Sequence, residues 1–146
     1  MLPIIFINLN KDTQRRASIE EDLNKYKLPH TRFEAIYWKE LPPAQKATFY
    51  SELLNSRQHH QPLLDGEKGC YASHLTIWLQ FLKSEHDAII ILEDDVKISP
   101  EFKEVINAID LRSFEWDMIK LIGRPNEKIK SRLKIVGEHS LIKYKK

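Results

Sequence analysis

Apolar residues in this chain recur in two patterns, short unbroken runs and helical i, i+3, i+4 stripes, and the two alternate along its length. Pro3-Ile4-Ile5-Phe6-Ile7 is a β-branched and aromatic run that stops at Asn8-Leu9-Asn10, as a buried strand running into a loop does. Asp12 or Thr13 then caps a helix reaching about Tyr26, with Ile19 and Leu23 four apart on its inner face. After the break at Leu28-Pro29, Thr31 to Tyr37 reads as a second strand. Pro42-Pro43 opens a helix whose apolar positions include Ala47, Leu53 and Leu54, and the polar stretch Asn55 to Leu64 reads as a loop. Cys70 to Lys83 predicts a core helix with Tyr71, Leu75, Trp78, Leu79 and Leu82 on its buried face. Ala88 to Leu92 is continuously apolar, the mark of a central parallel strand covered on both faces, and it ends in Glu93-Asp94-Asp95. Ser99-Pro100-Glu101 supplies the cap, proline and acid of a helix start, followed by the stripe Phe102, Val105, Ile106 and Ile109. Asp117 to Ile122 reads as a further strand. This alternation predicts an α/β sheet layered by helices.

Composition narrows the class. A chain of 146 residues suffices for one core that buries roughly 68–70% of the unfolded surface. With 42% hydrophobic and 30% charged residues it is neither a disordered nor a membrane-spanning composition. No apolar stretch approaches the ~20 residues that cross a bilayer, and the N-terminal run has no basic segment before it, so it reads as a strand and not as a signal peptide. Cys70 is the single cysteine and forms no intramolecular disulfide, which suits a reducing cytoplasm. The net charge is only +2, and no nucleic-acid partner is expected. That charge is unevenly placed: residues 124–146 carry eight Lys or Arg against two Glu, leaving −4 on residues 1–123. The chain therefore divides into a folded domain, 1–123, and a basic tail, 124–146. The tail is either a solvated terminus or a segment able to approach acidic phospholipid or glycolipid.

The chemistry concentrates in three segments. Glu93-Asp94-Asp95 follows a buried strand, where open α/β sheets bind ligands. Continued extended backbone sends Glu93 and Asp95 to one side and Asp94 to the other, so the outer pair suits one hard cation shared with a diphosphate. Asn8-Leu9-Asn10 leads into a helix bearing Arg15 and Arg16, whose guanidinium groups suit phosphate. In Gly66-Glu67-Lys68-Gly69-Cys70-Tyr71-Ala72-Ser73-His74, the residues Ser73 and His74 either bond internally or face a substrate cleft. Cys70 and His74 are four apart but make a poor soft-metal site without further partners. Adjacent His59 and His60 rarely converge on one ion and read as an exposed loop. A phosphoryl-accepting receiver fits badly, because such folds place their acids after an early strand and here the first strand ends in Asn8.

In this order and spacing, Ile5-Phe6-Ile7-Asn8-Leu9 with Arg15-Arg16, Phe33-Glu34-Ala35-Ile36, Gly66-Glu67-Lys68-Gly69-Cys70 with Ser73-His74 and Trp78, and Ile91-Leu92-Glu93-Asp94-Asp95 resemble glycosyltransferase family 25. That family includes bacterial lipooligosaccharide galactosyltransferases and the collagen galactosyltransferases, and the resemblance covers residues 3 to 123, an N-terminal part. It implies a GT-A-like fold, a truncated Rossmann-type three-layer nucleotide-binding sheet with helices on both faces. It implies transfer of a hexose, typically galactose from a UDP-sugar, to a saccharide or glycolipid acceptor, in the cytoplasm or peripherally at the inner face of the bacterial membrane. Glu93 and Asp95 would hold Mn²⁺ or Mg²⁺, and Asn8, Leu9, Arg15, Arg16, Ser73 and His74 would lie near the donor. Asp94 is the candidate for the base that deprotonates the acceptor hydroxyl. A non-catalytic nucleotide- or partner-binding domain of the same descent is the alternative. An exposed sheet edge in such a half would favour a homodimer.

Overall fold

A computed structural model describes residues 2–59, 61–110, 116–123 and 128–144. His60 and the outer parts of the basic tail lie outside the described residues. Strand β1 (Ile4–Asn8) leads into helix α1 (Thr13–Lys25), which returns the chain to strand β2 (His30–Glu34). β2 runs parallel to β1, pairing Ile4 with His30 and Asn8 with Glu34. Strand β3 (Ile90–Glu93) lies parallel on the other side of β1, with Ile4 opposite Ile90 and Ile7 opposite Glu93. The order β2-β1-β3 makes β1 the central strand and puts β3 at the edge of the three. That corrects the central place expected for Ala88 to Leu92, although its parallel pairing and burial are as the apolar run predicts. The result is a mixed α/β architecture with a parallel sheet, compatible with a Rossmann-like fold.

Side chains alternate across a strand, so each face of β1 and β3 has its own partners. Ile4, Phe6, Ile90 and Leu92 form one core with Ile19 and Leu23 of α1, Leu28, Ile98 and Ile106. Ile106 belongs to helix α5 (Phe102–Asp110), whose buried Ile106 and Ile109 match the predicted stripe. Burying each such side chain stabilises the fold by roughly 1.5–3 kcal/mol. Helix α1 ends in a Schellman turn: the Leu28 N–H donates to the Leu23 carbonyl at 3.0 Å and that of Lys27 to Asn24 at 2.9 Å. Lys27 there adopts φ +52°, in the left-handed region.

On the opposite side stands α4 (Asp65–Phe81), with clefts between it and the sheet that Ile7 and Ser73, and Ile91 and Trp78, line. Its buried residues are Gly69, Ala72, Ser73 and Ile77, a stripe mostly of small side chains. A Cβ on Gly69 would stand 2.7 Å from the Ile36 carbonyl oxygen, so only glycine permits this approach. Ser73 completes the contact, accepting from the Ile36 N–H at 2.9 Å and donating to the Gly69 carbonyl at 2.7 Å. The predicted facing of this helix is thereby corrected. Tyr71, Trp78, Leu79 and Leu82 are exposed, Leu82 to 76%, because the closest backbone approach selects the small residues and turns the large ones outward. At its start, the Glu67 carboxylate accepts from the Leu64 N–H at 2.7 Å.

Three further expectations are corrected. The helix opened by Pro42-Pro43 is two short ones, α2 (Pro43–Phe49) and α3 (Glu52–Gln58), because Tyr50 and Ser51 are extended and the Ser51 hydroxyl caps the second by accepting from Leu54 N–H. Leu53 and Leu54 are exposed, and the loop expected from Asn55 begins only after Gln58. Asp117 to Ile122 forms no strand: this segment lines a cavity beside β3 without pairing to it. The basic tail contains an antiparallel hairpin, β4 (Ile129–Val136) and β5 (His139–Tyr144), turning at Gly137 with φ +52°. None of the described helices is long and apolar enough to cross a membrane.

Candidate functional site

The chain steps from β1 to β2 on one side and later returns to β3 on the other, so its direction switches between β1 and β3. A crevice opens at such a switch beyond the carboxyl ends of the strands, and there α/β sheets take their ligands. Asn8 ends β1 and Glu93 ends β3, with Asp94 and Asp95 in the turn that follows. All three acids thus stand at the switch.

Asn8 is 1% exposed and organises the α1 side. Its amide nitrogen donates to the Asp94 carboxylate at 2.7 Å and to the Asp12 carbonyl at 3.1 Å, while its oxygen accepts from Arg32 Nε at 3.1 Å. Both amide hydrogens and one lone pair of the amide oxygen are engaged. Arg15 reaches the other Asp94 oxygen at 3.4 Å. Both oxygens of Asp94, the candidate base, therefore already accept from this chain's own donors. Arg16 turns away and pairs with Glu20 at 2.9 Å along the helix surface. Arg32 escaped the sequence reading because an arginine in an alternating strand looks solvent-facing. Its contacts with the Asn8 carbonyl at 3.3 Å and Asn10 at 3.4 Å brace the β1 exit loop, and Glu34 lies 3.9 Å from it along β2.

Leu9, Arg15, Ser73, Glu93 and Asp94 line one cleft of about 430 Å³ with Tyr37, Trp38 and Gly69. Lys11, at its mouth, sits 4.1 Å above the Tyr37 ring. Glu93 also lines a larger, more apolar cavity of about 760 Å³, together with Asp95, His74 and Trp78. Glu93 is therefore the wall shared by both spaces. Ser73 is fully buried and bonded internally, whereas His74 faces the larger cavity. Among the described residues, neither Glu93 nor Asp95 pairs with a lysine or arginine. Cys70 approaches Glu93 at 3.7 Å. Desolvation of the sulfur, followed by the charge of Glu93, pushes the thiol up to about 11, so it stays protonated at neutral pH.

Fold and site together define a mixed α/β protein with a parallel sheet and a carboxylate-rimmed crevice at its strand switch. The chain belongs to glycosyltransferase family 25, whose model, described as an LPS biosynthesis protein family, matches residues 1–145. The match thus extends through the hairpin, past Gly123 where the resemblance was expected to end. Procollagen galactosyltransferase 2 of Mus musculus is 29% identical over 140 residues, covering 91% of this chain and 22% of that protein. Glycosyltransferase 25 family members of Drosophila melanogaster and Drosophila pseudoobscura pseudoobscura are 26% and 29% identical over 147 residues, each covering 95% of this chain and 24% and 23% of theirs. The chain spans under a quarter of the length of these curated relatives.

Proposed function

We propose that this chain provides the donor-binding part of a galactosyltransferase of GT-A type, which takes a UDP-sugar at the β1/β3 crevice for transfer to a saccharide or glycolipid acceptor such as a lipooligosaccharide. The observation that carries this reading is the convergence of Glu93, Asp94 and Asp95 with the β1 exit loop at the strand switch of a family 25 chain. Glu93 and Asp95 fit a hard divalent cation, Mn²⁺ or Mg²⁺: they are exposed oxygen donors beside open space, with no lysine or arginine on them among the described residues. Such a cation, when bound, neutralises the charge that develops on a departing nucleoside diphosphate.

The protein's own groups do the positioning. Arg15 and Lys11 bring positive charge to the cleft that Leu9 and Tyr37 line, which suits a phosphate and a ring-bearing ligand. Asp94, tied to Asn8 and Arg15, sets the spacing between the ends of β1 and β3. We therefore read it as a positioning residue, in place of the base role considered for it. The basic hairpin offers matching charge to an acidic glycolipid or membrane surface, and a cytoplasmic enzyme peripheral to the membrane fits that charge.

Asp95→Ala is expected to abolish metal-dependent UDP binding in titration calorimetry while leaving the circular dichroism spectrum unchanged. Equal binding by the variant and the parent protein would remove the cation site from the proposal. Galactose transfer from UDP-galactose to a purified glycolipid acceptor would establish the activity itself.

A further inference from the structure

The sequence offered Cys70 and His74 as two ligands without a third. The fold supplies the third: the end of β3 brings Glu93 against the first turns of α4, and ligand atoms of Cys70, His74 and Glu93 all lie within 4.8 Å of one another. We propose that these three side chains form a zinc-class cation site, distinct in chemistry from the hard-cation pair Glu93 and Asp95 but sharing Glu93 with it.

Two edges of the triangle are close to tetrahedral length, and on the third side Cys70 Sγ stands 3.6 Å from the His74 ring at Nδ1. Cys70 Sγ lies 3.7 Å from Glu93 Oε1, and His74 Nε2 lies 3.9 Å from the same oxygen. Zinc bonds of about 2.0–2.3 Å at tetrahedral angles place neighbouring ligand atoms about 3.4–3.6 Å apart, so a small inward movement closes the site. The histidine is prepared for it. Its Nδ1 stands 3.0 Å from the Cys70 carbonyl, which only accepts hydrogen bonds, so Nδ1 carries the hydrogen and Nε2 presents the lone pair toward Glu93. A backbone carbonyl holding the second nitrogen is the usual support of a metal-binding imidazole. Trp78 adds an edge contact at 6.1 Å between ring centroids, which restrains the ring. Without a cation or a proton between them, Nε2 and the Glu93 oxygen are two acceptors facing each other.

The donor set selects the metal. One sulfur, one nitrogen and one oxygen suit Zn²⁺ or Co²⁺ and disfavour Mg²⁺, which takes oxygen. On binding, the thiol proton passes to water and the fourth position stays open to solvent. Since one carboxylate serves both cations, Zn²⁺ is expected to displace Mn²⁺ and weaken UDP binding. Only this competition rests on the proposed function; the three-residue site does not.

Cobalt reports the site directly. Titrating the protein with Co²⁺, without nucleotide, is expected to produce a near-ultraviolet thiolate-to-metal absorption band. Cys70 is the only cysteine in the sequence, so such a band has one source. Cys70→Ser should lose the band, His74→Ala and Glu93→Gln should each weaken Co²⁺ binding at least about tenfold, and His59→Ala should leave it unchanged. Circular dichroism would confirm that each variant folds. Absence of the band, or a band of full affinity in both His74→Ala and Glu93→Gln, would overturn the site. Asp95→Ala separates the two readings, because it should keep the cobalt band while losing Mn²⁺-dependent UDP binding.

Discussion

Asn8 joins three parts of the molecule that are far apart in sequence. Its single amide ties the end of β1 to Asp94 after β3, to Arg32 on β2 and to the start of α1 at Asp12. A leucine of similar branching but larger volume would leave one oxygen of the half-buried Asp94 carboxylate and the Nε of Arg32 without the partner that Asn8 supplies. Unmet polar groups of this kind cost about 1–3 kcal/mol, more when charged. Asn8→Leu is therefore expected to destabilise the protein by roughly 3 kcal/mol, read as a lower midpoint in urea denaturation. A variant within about 0.5 kcal/mol of the parent would show that the network contributes little. Gly69 is the second residue of this kind, since its missing side chain lets α4 approach the segment around Ile36.

At the scale of elements, the end of α1 makes a separate forecast. Lys27 holds a left-handed conformation inside the Schellman turn, which costs an ordinary residue roughly 1–2 kcal/mol. Glycine avoids that strain but loses more chain entropy, so Lys27→Gly is expected to raise stability by roughly 0.5–1 kcal/mol, measured as a higher denaturant midpoint. The α3–α4 junction depends on pH. Its ion pair joins Glu52 and Lys68 at 2.7 Å, and the hydrogen bond from Lys68 holds the Glu52 carboxyl below its ordinary 4.5. A lowered carboxyl stabilises the fold above its unfolded value and loses that contribution as pH falls through the folded one. Glu52→Gln should accordingly flatten the fall in Tm on acidification below pH 4.5, and a slope identical to the parent's would dismiss the pair. The elements most legible in the sequence were those whose pattern allows one solution. β1 and β3 each show an unbroken apolar run that only a strand covered on both faces can bury, and α1 and α5 each show a stripe that buries one face. α4 was legible as a helix but not in its facing, since it carries large apolar residues on one side and small ones on the other. Which side packs depends on the backbone at Ile36, a contact across 37 positions between Ser73 and Ile36. The carboxylates were found from their place after β3, whereas Arg32 and the approach of Glu93 to α4 depend on strand pairing that local patterns do not contain.

The whole molecule presents an acidic crevice and a basic hairpin. Lys130, Arg132, Lys134 and Lys143 are exposed on β4 and β5. Lys and Arg near an anionic membrane surface each contribute about 1 kcal/mol, falling off with salt. The chain is expected to co-sediment with vesicles containing anionic phospholipid at low salt and not with neutral phosphatidylcholine vesicles. Lys130→Glu combined with Arg132→Glu should reduce that binding at least about tenfold. Salt-independent or unchanged binding would exclude the hairpin as the contact.

The alternation that puts Glu93 beside α4 and Asp94 beside Asn8 has an evolutionary consequence. Removing one residue from within β3 would send Glu93 to the core face and slide the other two acids back one place, setting the shorter Asp94 before Cys70 and drawing Asp95 to Asn8, away from the larger cavity, at once. Length variation in this protein is therefore tolerable in the flanking turns, while any indel inside the four residues of β3 should be lethal to both halves of the site together.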